Sequence, residues 1–250
     1  AIAADVSVIT SISLDHQQWL GSTLRDIAAE KAGILKRGVP VLIGELPPDA
    51  RDVIGRRALA LGIPCIEVHP LPAEWKTGLR GPHQRENAAL AVEAACRIEG
   101  DRLTQEGLRH SLEATRWPGR FQCIDGDLYL DGAHNPEAAE TLRRTWETEC
   151  PGEKAHLIFG AVANKDVTGI LRALLPVLSA VTFVPVKSER RLSVEEMRSA
   201  LVESGGGGLP YEESDALLPA IEATRRDGGK TLVAGSLFLV GETLGHFLGE

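Results

Sequence analysis

Short runs rich in β-branched residues alternate along the chain with segments whose apolar residues recur every three or four positions. We predict strands over residues 6–12, 39–43, 64–68, 121–124, 128–130, 155–159, 180–184 and 230–234. We predict helices over residues 23–35, 49–61, 85–99, 104–114, 167–175, 193–203, 215–226 and 237–248, and one more directly after Asn135-Pro136. Strands that alternate with helices form parallel sheets covered on both faces, so the predicted fold class is α/β.

This rhythm breaks at Trp117-Pro118-Gly119 and then restarts, which indicates a domain boundary near residues 113–119. A chain of 250 residues is long enough for two domains, which we predict over residues 1–115 and 116–250. A hairpin around Asp125-Gly126-Asp127 is expected to open the second domain. The glycine run at 205–208 is expected to be flexible.

Composition excludes several classes of function. The net charge of −8 makes the chain a poor candidate for binding duplex nucleic acid, and 4% aromatic residues argue against stacking platforms for sugars or single strands. The apolar runs are too short for a membrane helix. The four cysteines are widely spaced without a CxxC pair, so a reducing cytoplasm is the expected location. The chain lacks a starting Met, and we expect it to begin inside a longer protein.

Polar segments follow three of the predicted strands, at the end of the sheet where ligands bind in open parallel folds. They are Leu14-Asp15-His16, the stretch from Asp131 to Asn135, and Gly235-Ser236. A predicted helix starts near each segment, and the free N–H groups of a helix start suit phosphate or carboxylate. A ligand site is therefore expected at these carboxyl ends.

Two positions in the first half each admit two interpretations. Asp15-His16 would be a metal-binding or catalytic pair, or a simple turn with His16 exposed, which the residues alone favour. Lys31 shares a helical stripe with Ile27 and Leu35, so its side chain is predicted to face the apolar side. A buried amine can react or take up carbon dioxide to give a carbamate ligand for a hard cation. The commoner alternative is a lysine at the stripe's edge that extends to solvent.

The second half offers a carboxylate, an imidazole and a guanidinium. Asp131 suits a ribose hydroxyl and His134 a substrate carboxylate, although a plain capping turn explains this segment equally well. Arg120 follows Pro118-Gly119, where it would clamp a phosphate between two domains or simply lie on the surface. Gly229-Lys230-Thr231 resembles the end of a Walker A loop but is not one. A predicted helix precedes it and a predicted strand follows, which is the reverse of the order that the loop requires.

Six blocks in one order resemble folylpolyglutamate synthase/dihydrofolate synthase, a family of the Mur ligase superfamily. They include LDHQQWLG and EKAGI within residues 10–42, LDGAHN within 130–142, and further blocks at 78–94, 116–122, 159–166 and 234–242. Cell-wall Mur ligases match LDHQQWLG and EKAGI less well. The resemblance implies the later half of a central ATPase domain, with a parallel sheet and flanking helices, followed by a Rossmann-like α/β glutamate ligase domain.

The resemblance also implies roles for individual residues. His16 and a carbamylated Lys31 would be ligands of a magnesium ion. Gln84 and Asn87 would lie near the adenine of ATP, Arg120 at its phosphates and Asp131 at its ribose. His134 and Ser236 would lie near the incoming glutamate. Lys165-Asp166 matches a DKD block in which Asn164 replaces the first aspartate, and its role is left open.

The implied reaction is ATP-dependent amide formation through an acyl phosphate, with catalysis by Lys31, His16 and Arg120. The expected partners are ATP, L-glutamate, folate or dihydropteroate, Mg²⁺ and a monovalent cation, bound by a monomer. The family's Walker A loop would lie upstream of the first block, so the isolated chain is expected to be a weak or inactive enzyme. A peptidoglycan-precursor ligase of Mur type and a non-catalytic homologue are the alternatives.

Overall fold

The structure is a computed structural model, which describes residues 3–12, 21, 23–226, 228–247 and 249. The chain divides into two compact units: unit 1 comprises residues 1–78 and 82–115, and unit 2 comprises residues 79–81 and 116–250. In the part of the chain that is described, no helix is long and apolar enough to cross a membrane.

Unit 1 contains a three-stranded parallel sheet in the order β1-β2-β3. Its strands are β1 (Ser7–Ile9), β2 (Val41–Ile43) and β3 (Cys65–Glu67). Its helices are α1 (Leu24–Lys31), α2 (Pro48–Leu61), α3 (Pro82–Glu99) and α4 (Gln105–Ala114). The central strand β2 is buried along its length, whereas β3 is largely exposed. The buried face of this sheet therefore centres on β2.

Local sequence chemistry starts the first helix. The Thr23 side chain accepts from the Asp26 N–H, and the Asp26 carboxylate accepts from the Thr23 N–H at 3.2 Å, which completes a capping box. Ile27 and Ala28 then face a core that includes Ile43 and Ile54. The helix start at residue 23 and the apolar stripe were both predicted, and the helix ends at Lys31 before a 3₁₀ turn at Ala32–Ile34.

Unit 2 contains a six-stranded sheet in the order β4-β5-β9-β6-β7-β8. Its strands are β4 (Gln122–Cys123), β5 (Leu128–Leu130), β6 (Ala155–Phe159), β7 (Leu178–Phe183), β8 (Tyr211–Glu213) and β9 (Lys230–Ala234). Its helices are α5 (Pro136–Glu149), α6 (Val167–Leu174), α7 (Val194–Leu201), α8 (Leu217–Arg226) and α9 (Leu237–Phe247). Among the six strands that the structure describes in this sheet, β4 and β5 pair antiparallel and form the predicted hairpin, and the other neighbouring strands pair in parallel.

Apolar side chains cover both faces of this sheet. One cluster includes Leu157, Phe159 and Trp146, and Trp146 packs edge-on against Phe121 and Tyr129. The other cluster includes Ile158 and packs the opposite face against α8 and α9. Because successive residues of β6 point to opposite faces, the strand is buried on both sides, as in other parallel sheets. The predicted α/β class is confirmed.

Two features of unit 2 differ from the prediction. The strand β8 was not predicted, because all three of its residues are exposed and show no apolar alternation. The glycine run predicted to be flexible begins inside a π-helical turn at Val202–Gly206, in which Gly206 is buried. Both differences arise where tertiary packing, rather than local pattern, determines the backbone.

Candidate active site

The loops that follow β5, β9, β6 and β7 lie side by side at one edge of the unit 2 sheet. These four strands are adjacent and parallel, so their carboxyl ends share an edge. The loops span residues 131–135, 235–236, 160–166 and 184–193. The predicted ligand-binding segments 131–135 and 235–236 therefore belong to neighbouring strands, where side chains from several loops can reach one ligand.

Asp131 joins two segments of backbone at this edge. Its Oδ2 accepts from the Phe121 N–H at 2.9 Å, and its Oδ1 accepts from the Ala133 N–H at 2.8 Å. Phe121 has a φ of 43°, an unusual conformation for a residue with a large side chain. Each carboxylate oxygen has a second lone pair. Asp131 can therefore accept two hydroxyl hydrogen bonds while it still holds the loop around residue 121.

The same environment shifts the proton affinity of this carboxyl group. Burial raises the pKa of Asp131 above its ordinary value, while the N–H groups of Phe121 and Ala133 and the charge of Arg120 oppose the rise. Burial is the larger effect. Asp131 is therefore more readily protonated in mild acid than an exposed aspartate.

Arg120 lies over the turn that follows β5. The turn is closed by the Gly132 N–H, which donates to the Gly119 carbonyl at 2.9 Å. A Cβ atom at residue 132 would lie 2.9 Å from Nη1 of Arg120 and 2.6 Å from Cδ2 of Leu237. A larger residue at this position would therefore displace the Arg120 guanidinium or the Leu237 side chain. Arg120 is otherwise exposed, so its guanidinium is open to an anion at this edge.

His134 is held in one orientation by the same turn. Its Nδ1 lies 2.8 Å from the Gly132 carbonyl oxygen. A carbonyl only accepts, so the imidazole carries a proton on Nδ1, and Nε2 remains for a second partner. Asn135 caps α5 by accepting from the Ala138 N–H at 2.8 Å, as predicted. The segment is thus a capping turn that also presents an oriented imidazole.

Ser236 lies on the adjacent loop, which a backbone hydrogen bond ties to the first. The Gly235 N–H donates to the Ala133 carbonyl at 2.9 Å. Gly235 has a φ of 101°, and a Cβ there would lie 2.8 Å from the Gly160 carbonyl oxygen. Ser236 is buried, and its Oγ accepts from the Phe238 N–H at 3.2 Å. Asp131, His134 and Ser236 therefore belong to one hydrogen-bonded pair of loops.

Lys165 and Asp166 lie on the next loop along the edge. Asp166 caps α6 by accepting from the Gly169 N–H at 2.8 Å, and Asn164 has a φ of 68°. The Ala163 N–H donates to the Arg190 carbonyl at 2.7 Å, which ties this loop to the one after β7. Lys165 is half-buried beside these turns. Asp166 thus has a structural role, whereas the amine of Lys165 has none that the structure assigns.

Gln84 and Asn87 lie in the first turns of α3, in unit 1. Gln84 is buried, and its Nε2 lies 2.9 Å from Nε2 of His83. The Asn87 Nδ2 donates to Oε1 of Gln84 at 3.4 Å. Arg85 fastens the preceding loop by donating to the Leu71 carbonyl at 2.6 Å. The two predicted adenine-site residues therefore share one local amide cluster.

Comparison with known proteins finds one matching family model and several similar enzymes. Residues 119–237 match the family described as Mur ligase, glutamate ligase domain. The chain is 29% identical to the dihydrofolate synthase/folylpolyglutamate synthase of Bacillus subtilis, over 95% of the chain and 61% of that protein. It is 32% identical to the enzyme of the same name from Mycobacterium tuberculosis, over 82% of the chain and 49% of that protein.

Solved structures agree with these matches. The folylpolyglutamate synthase of M. tuberculosis, complexed with ADP and AMPPCP, superposes with a TM-score of 0.88 at 27% identity, covering 98% of this chain and 64% of that one. The E. coli FolC structure with DHPP and ADP gives a TM-score of 0.83 at 26% identity, covering 98% and 62%.

Residues 119–237 are a Mur ligase glutamate ligase domain. The chain is homologous to folylpolyglutamate and dihydrofolate synthases across most of its length, as the resemblance predicted. The chain spans about three fifths of the length of the curated relatives from Bacillus subtilis, Lacticaseibacillus casei and E. coli.

The prediction that the Lys31 side chain faces the apolar side of its helix is wrong. Ile27 and Leu35 on the same stripe are buried, but Lys31 is exposed. Lys31 is the last residue of α1, and its long side chain extends to solvent from the edge of the stripe, which was the alternative prediction. A lysine in the last turn also lies favourably near the carbonyl end of the helix.

The predicted magnesium site is not assembled by the residues that the structure describes. Within those residues, no three histidine, cysteine, aspartate or glutamate side chains form a group that could hold a metal ion. Asp15 and His16 lie outside the described residues. Because His16 is not described, the pairing of His16 with Lys31 at Mg²⁺ stays a prediction.

Sequence reasoning missed several positions that shape this edge. Gly119 has a φ of 67° and lets the loop lie against Val240. The backbone of Phe121 and Ala133 supplies the N–H groups on Asp131. The Pro118-Gly119 pair signals a turn at this point. No local pattern signals the left-handed φ of Phe121.

Proposed function

We propose that the protein carrying this chain is an ATP-dependent ligase that joins L-glutamate to folate or dihydropteroate. The observation that carries the proposal is the hydrogen-bonded pair of loops that presents Asp131, His134 and Ser236 at one sheet edge, within the region matching a glutamate ligase domain. Relatives named folylpolyglutamate or dihydrofolate synthase match 82–98% of the chain in several bacteria, which favours a pterin substrate over a peptidoglycan precursor.

The roles follow from the chemistry of the side chains. Asp131 accepts the ribose hydroxyls of ATP with the lone pairs that the backbone leaves free, and exposed Arg120 binds its phosphates. ATP supplies the phosphoryl group that converts a pterin-linked carboxylate into an acyl phosphate. The amine of glutamate then attacks that carbonyl and phosphate leaves.

Glutamate is placed by one side chain from each loop of the pair. With both ring nitrogens protonated, His134 donates its Nε2–H to a glutamate carboxylate while its Nδ1–H donates to the Gly132 carbonyl. The hydroxyl of Ser236 is free to donate while its oxygen accepts from Phe238. Bound this way, the amine is directed rather than free to turn, which lowers the entropy cost of attack.

The remaining assignments stay predictions. Gln84 and Asn87 are proposed at the adenine, and Lys31 with His16 at a divalent cation. Mn ion accompanies AMPPNP in the related enzyme of Yersinia pestis, which supports a divalent cation in the family. A monovalent cation, a monomeric state and a cytoplasmic location also remain predictions.

The first test measures binding of ADP and of L-glutamate to the 250-residue chain by calorimetry. Asp131→Asn should weaken ADP at least tenfold, and Ser236→Ala should weaken glutamate several-fold. Asp127→Asn is the matched control, because it removes the same charge from the exposed hairpin turn beside β5. Equal effects of the Asp127 and Asp131 variants would contradict the assignment.

The second test establishes the acceptor. Residues 1–250 replace the matching part of the Bacillus subtilis relative, and ADP release is followed with ATP and L-glutamate. We expect release to require dihydropteroate or a reduced folate. Release that requires a UDP-linked peptidoglycan precursor instead would favour a cell-wall ligase, and glutamate binding without turnover on any acceptor would favour a non-catalytic homologue.

A further inference from the structure

The side chain of Gln122 closes the turn that carries Arg120. Its Oε1 accepts from the N–H of Gly119, three residues earlier, at 2.8 Å. The backbone of Gln122 lies in β4, where it pairs with Leu130 of β5. The sheet therefore anchors Gln122, and its side chain extends this anchor back to the residue that precedes Arg120.

Gly119 depends on this acceptor because its surroundings offer little else. Gly119 is buried, so water has little access to its N–H group. Its carbonyl already accepts from the Gly132 N–H at 2.9 Å, and its Cα lies against the Val240 side chain. Loss of the Gln122 oxygen would leave a buried donor unpaired, a cost that the turn can reduce only by moving.

The two sides of Arg120 are held by different parts of the molecule. On the C-terminal side, the Phe121 N–H donates to Asp131 at 2.9 Å, and the Phe121 ring is buried in the core of unit 2. On the N-terminal side, the Gly119 N–H is held by the Gln122 side chain. A change at Gln122 therefore acts on one side of Arg120 while the core still holds the other.

We propose that Gln122 is a positioning residue that sets the direction of the Arg120 guanidinium, and this proposal rests on the proposed role of Arg120 at the ATP phosphates. A guanidinium binds phosphate through two parallel N–H donors, so its affinity depends on its orientation. Gly132 and Leu237 lie beside the guanidinium and limit it from one side. Gln122 limits it through the backbone from which the side chain extends.

The expected effect falls on the phosphates of the ligand rather than on its nucleoside. Gln122→Met keeps nearly the same length without an acceptor, and it should weaken ADP about fivefold, which corresponds to one lost hydrogen bond. Adenosine has no phosphate, so its affinity should stay within about twofold of the wild-type value. Gln122→Glu keeps an acceptor of the same length and should restore most of the ADP affinity.

The first measurement follows the turn itself and depends on no ligand. The steady-state heteronuclear NOE of the isotope-labelled chain reports how rigid the backbone N–H of residue 120 is. We expect a lower value in Gln122→Met than in wild type, and recovery in Gln122→Glu. Gln122→Asn, whose shorter side chain does not reach Gly119, should behave as Gln122→Met does. An unchanged value in both the Met and the Asn variants would overturn the proposal.

The matched control removes an amide elsewhere. Gln105 is exposed at the start of α4 in unit 1, so Gln105→Met should change neither the NOE at residue 120 nor the affinity for ADP. Circular dichroism checks that every variant is folded.

The second measurement is a double-mutant cycle of Gln122→Met and Arg120→Ala, read out as ADP affinity. If Gln122 acts through Arg120, Gln122→Met should weaken ADP in the wild-type background and have no further effect once the guanidinium is absent. An equal loss in both backgrounds would show that Gln122 only stabilises the fold, which would overturn the proposal. Failure of the wild-type chain to bind ADP more tightly than adenosine would instead count against the proposed function.

Discussion

Unit 2 and unit 1 differ in how their polar side chains are gathered. In unit 2, four adjacent parallel strands deliver their loops to one edge, and backbone hydrogen bonds join the loops carrying Asp131 and Ser236. In unit 1, the described candidates are separate: Gln84 and Asn87 share α3, and Lys31 ends α1 in solvent. The comparison teaches that adjacent parallel strands, more than residue type, assemble a site.

Each unit has an apolar core of its own. Trp146 in unit 2 and Ile54 in unit 1 are fully buried, but Leu59 on the same helix as Ile54 is 81% exposed. The largest expected effect is that of Trp146→Ala, which should lower the free energy of unfolding by about 3–5 kcal/mol. Ile54→Ala should cost about 2–5 kcal/mol in unit 1, and Leu59→Ala less than about 0.5 kcal/mol.

Urea unfolding followed by circular dichroism measures these three variants. A cost for Leu59→Ala as large as that for Ile54→Ala would show that Leu59 is covered in solution. The contrast between buried Ile54 and exposed Leu59 on one helix of unit 1 would then fail.

The next largest effect comes from two glycines with left-handed backbone, one in each unit. Gly235 has a φ of 101° and lies against Phe159 and the Gly160 carbonyl, whereas Gly62 has a φ of 66° and open space around it. Gly235→Ala should cost about 2–4 kcal/mol, from backbone strain and overpacking together. Gly62→Ala should cost about 1–2 kcal/mol, from strain alone.

Thermal unfolding of the two alanine variants, side by side, checks this difference. If both variants lost the same stability, the loop after β9 would not be as closely packed as the structure shows. Crowding at Gly235 would then no longer distinguish the two units.

Loss of a helix N-cap should have a smaller effect on stability, and the effect should be equal in the two units. Thr23 begins α1 and Ser193 begins α7, each with a complete capping box. Thr23→Ala and Ser193→Ala should each cost about 1 kcal/mol in urea unfolding. Thr23→Ser and Ser193→Thr keep the hydroxyl and should restore most of the loss. A negligible cost in only one unit would show that its helix is held by packing rather than by its cap.

The smallest expected effect is a change of stability with pH that arises from Asp131 in unit 2. Because burial raises the pKa of Asp131, the native state takes up a proton there more readily than the unfolded chain does. Its contribution to stability therefore falls as pH rises from the ordinary aspartate value through the native pKa. The stability of wild type minus that of Asp131→Asn should decrease as pH rises above the ordinary aspartate pKa. A difference that increases with pH would mean that the N–H donors outweigh burial.

Local patterns predicted much of this fold. The helix starts at Thr23 and Asn135 could be predicted because a side-chain acceptor precedes an apolar period. The strands β6 and β9 were predicted with their observed bounds, because buried parallel strands form continuous apolar runs.

Other features depend on contacts that no local window contains. Asp131 is tied to Phe121 ten residues earlier, and Gly235 to Ala133 about a hundred residues earlier. Lys31 was assigned to the apolar face from its spacing to Ile27 and Leu35. It lies at the end of α1, and its long side chain extends to solvent instead. The residue types at the candidate site could be predicted, but not the backbone that joins them.

The central claim is that the carboxyl edge of the unit 2 sheet binds nucleotide and glutamate. Amide chemical shifts of the isotope-labelled chain, recorded during titration with ADP and then with L-glutamate, test it most directly. We predict that ADP shifts the amides of Phe121 and Ala133, whose N–H groups lie on Asp131, and that glutamate shifts those of His134 and Phe238. Binding of both ligands that leaves these four amides unchanged would contradict the account.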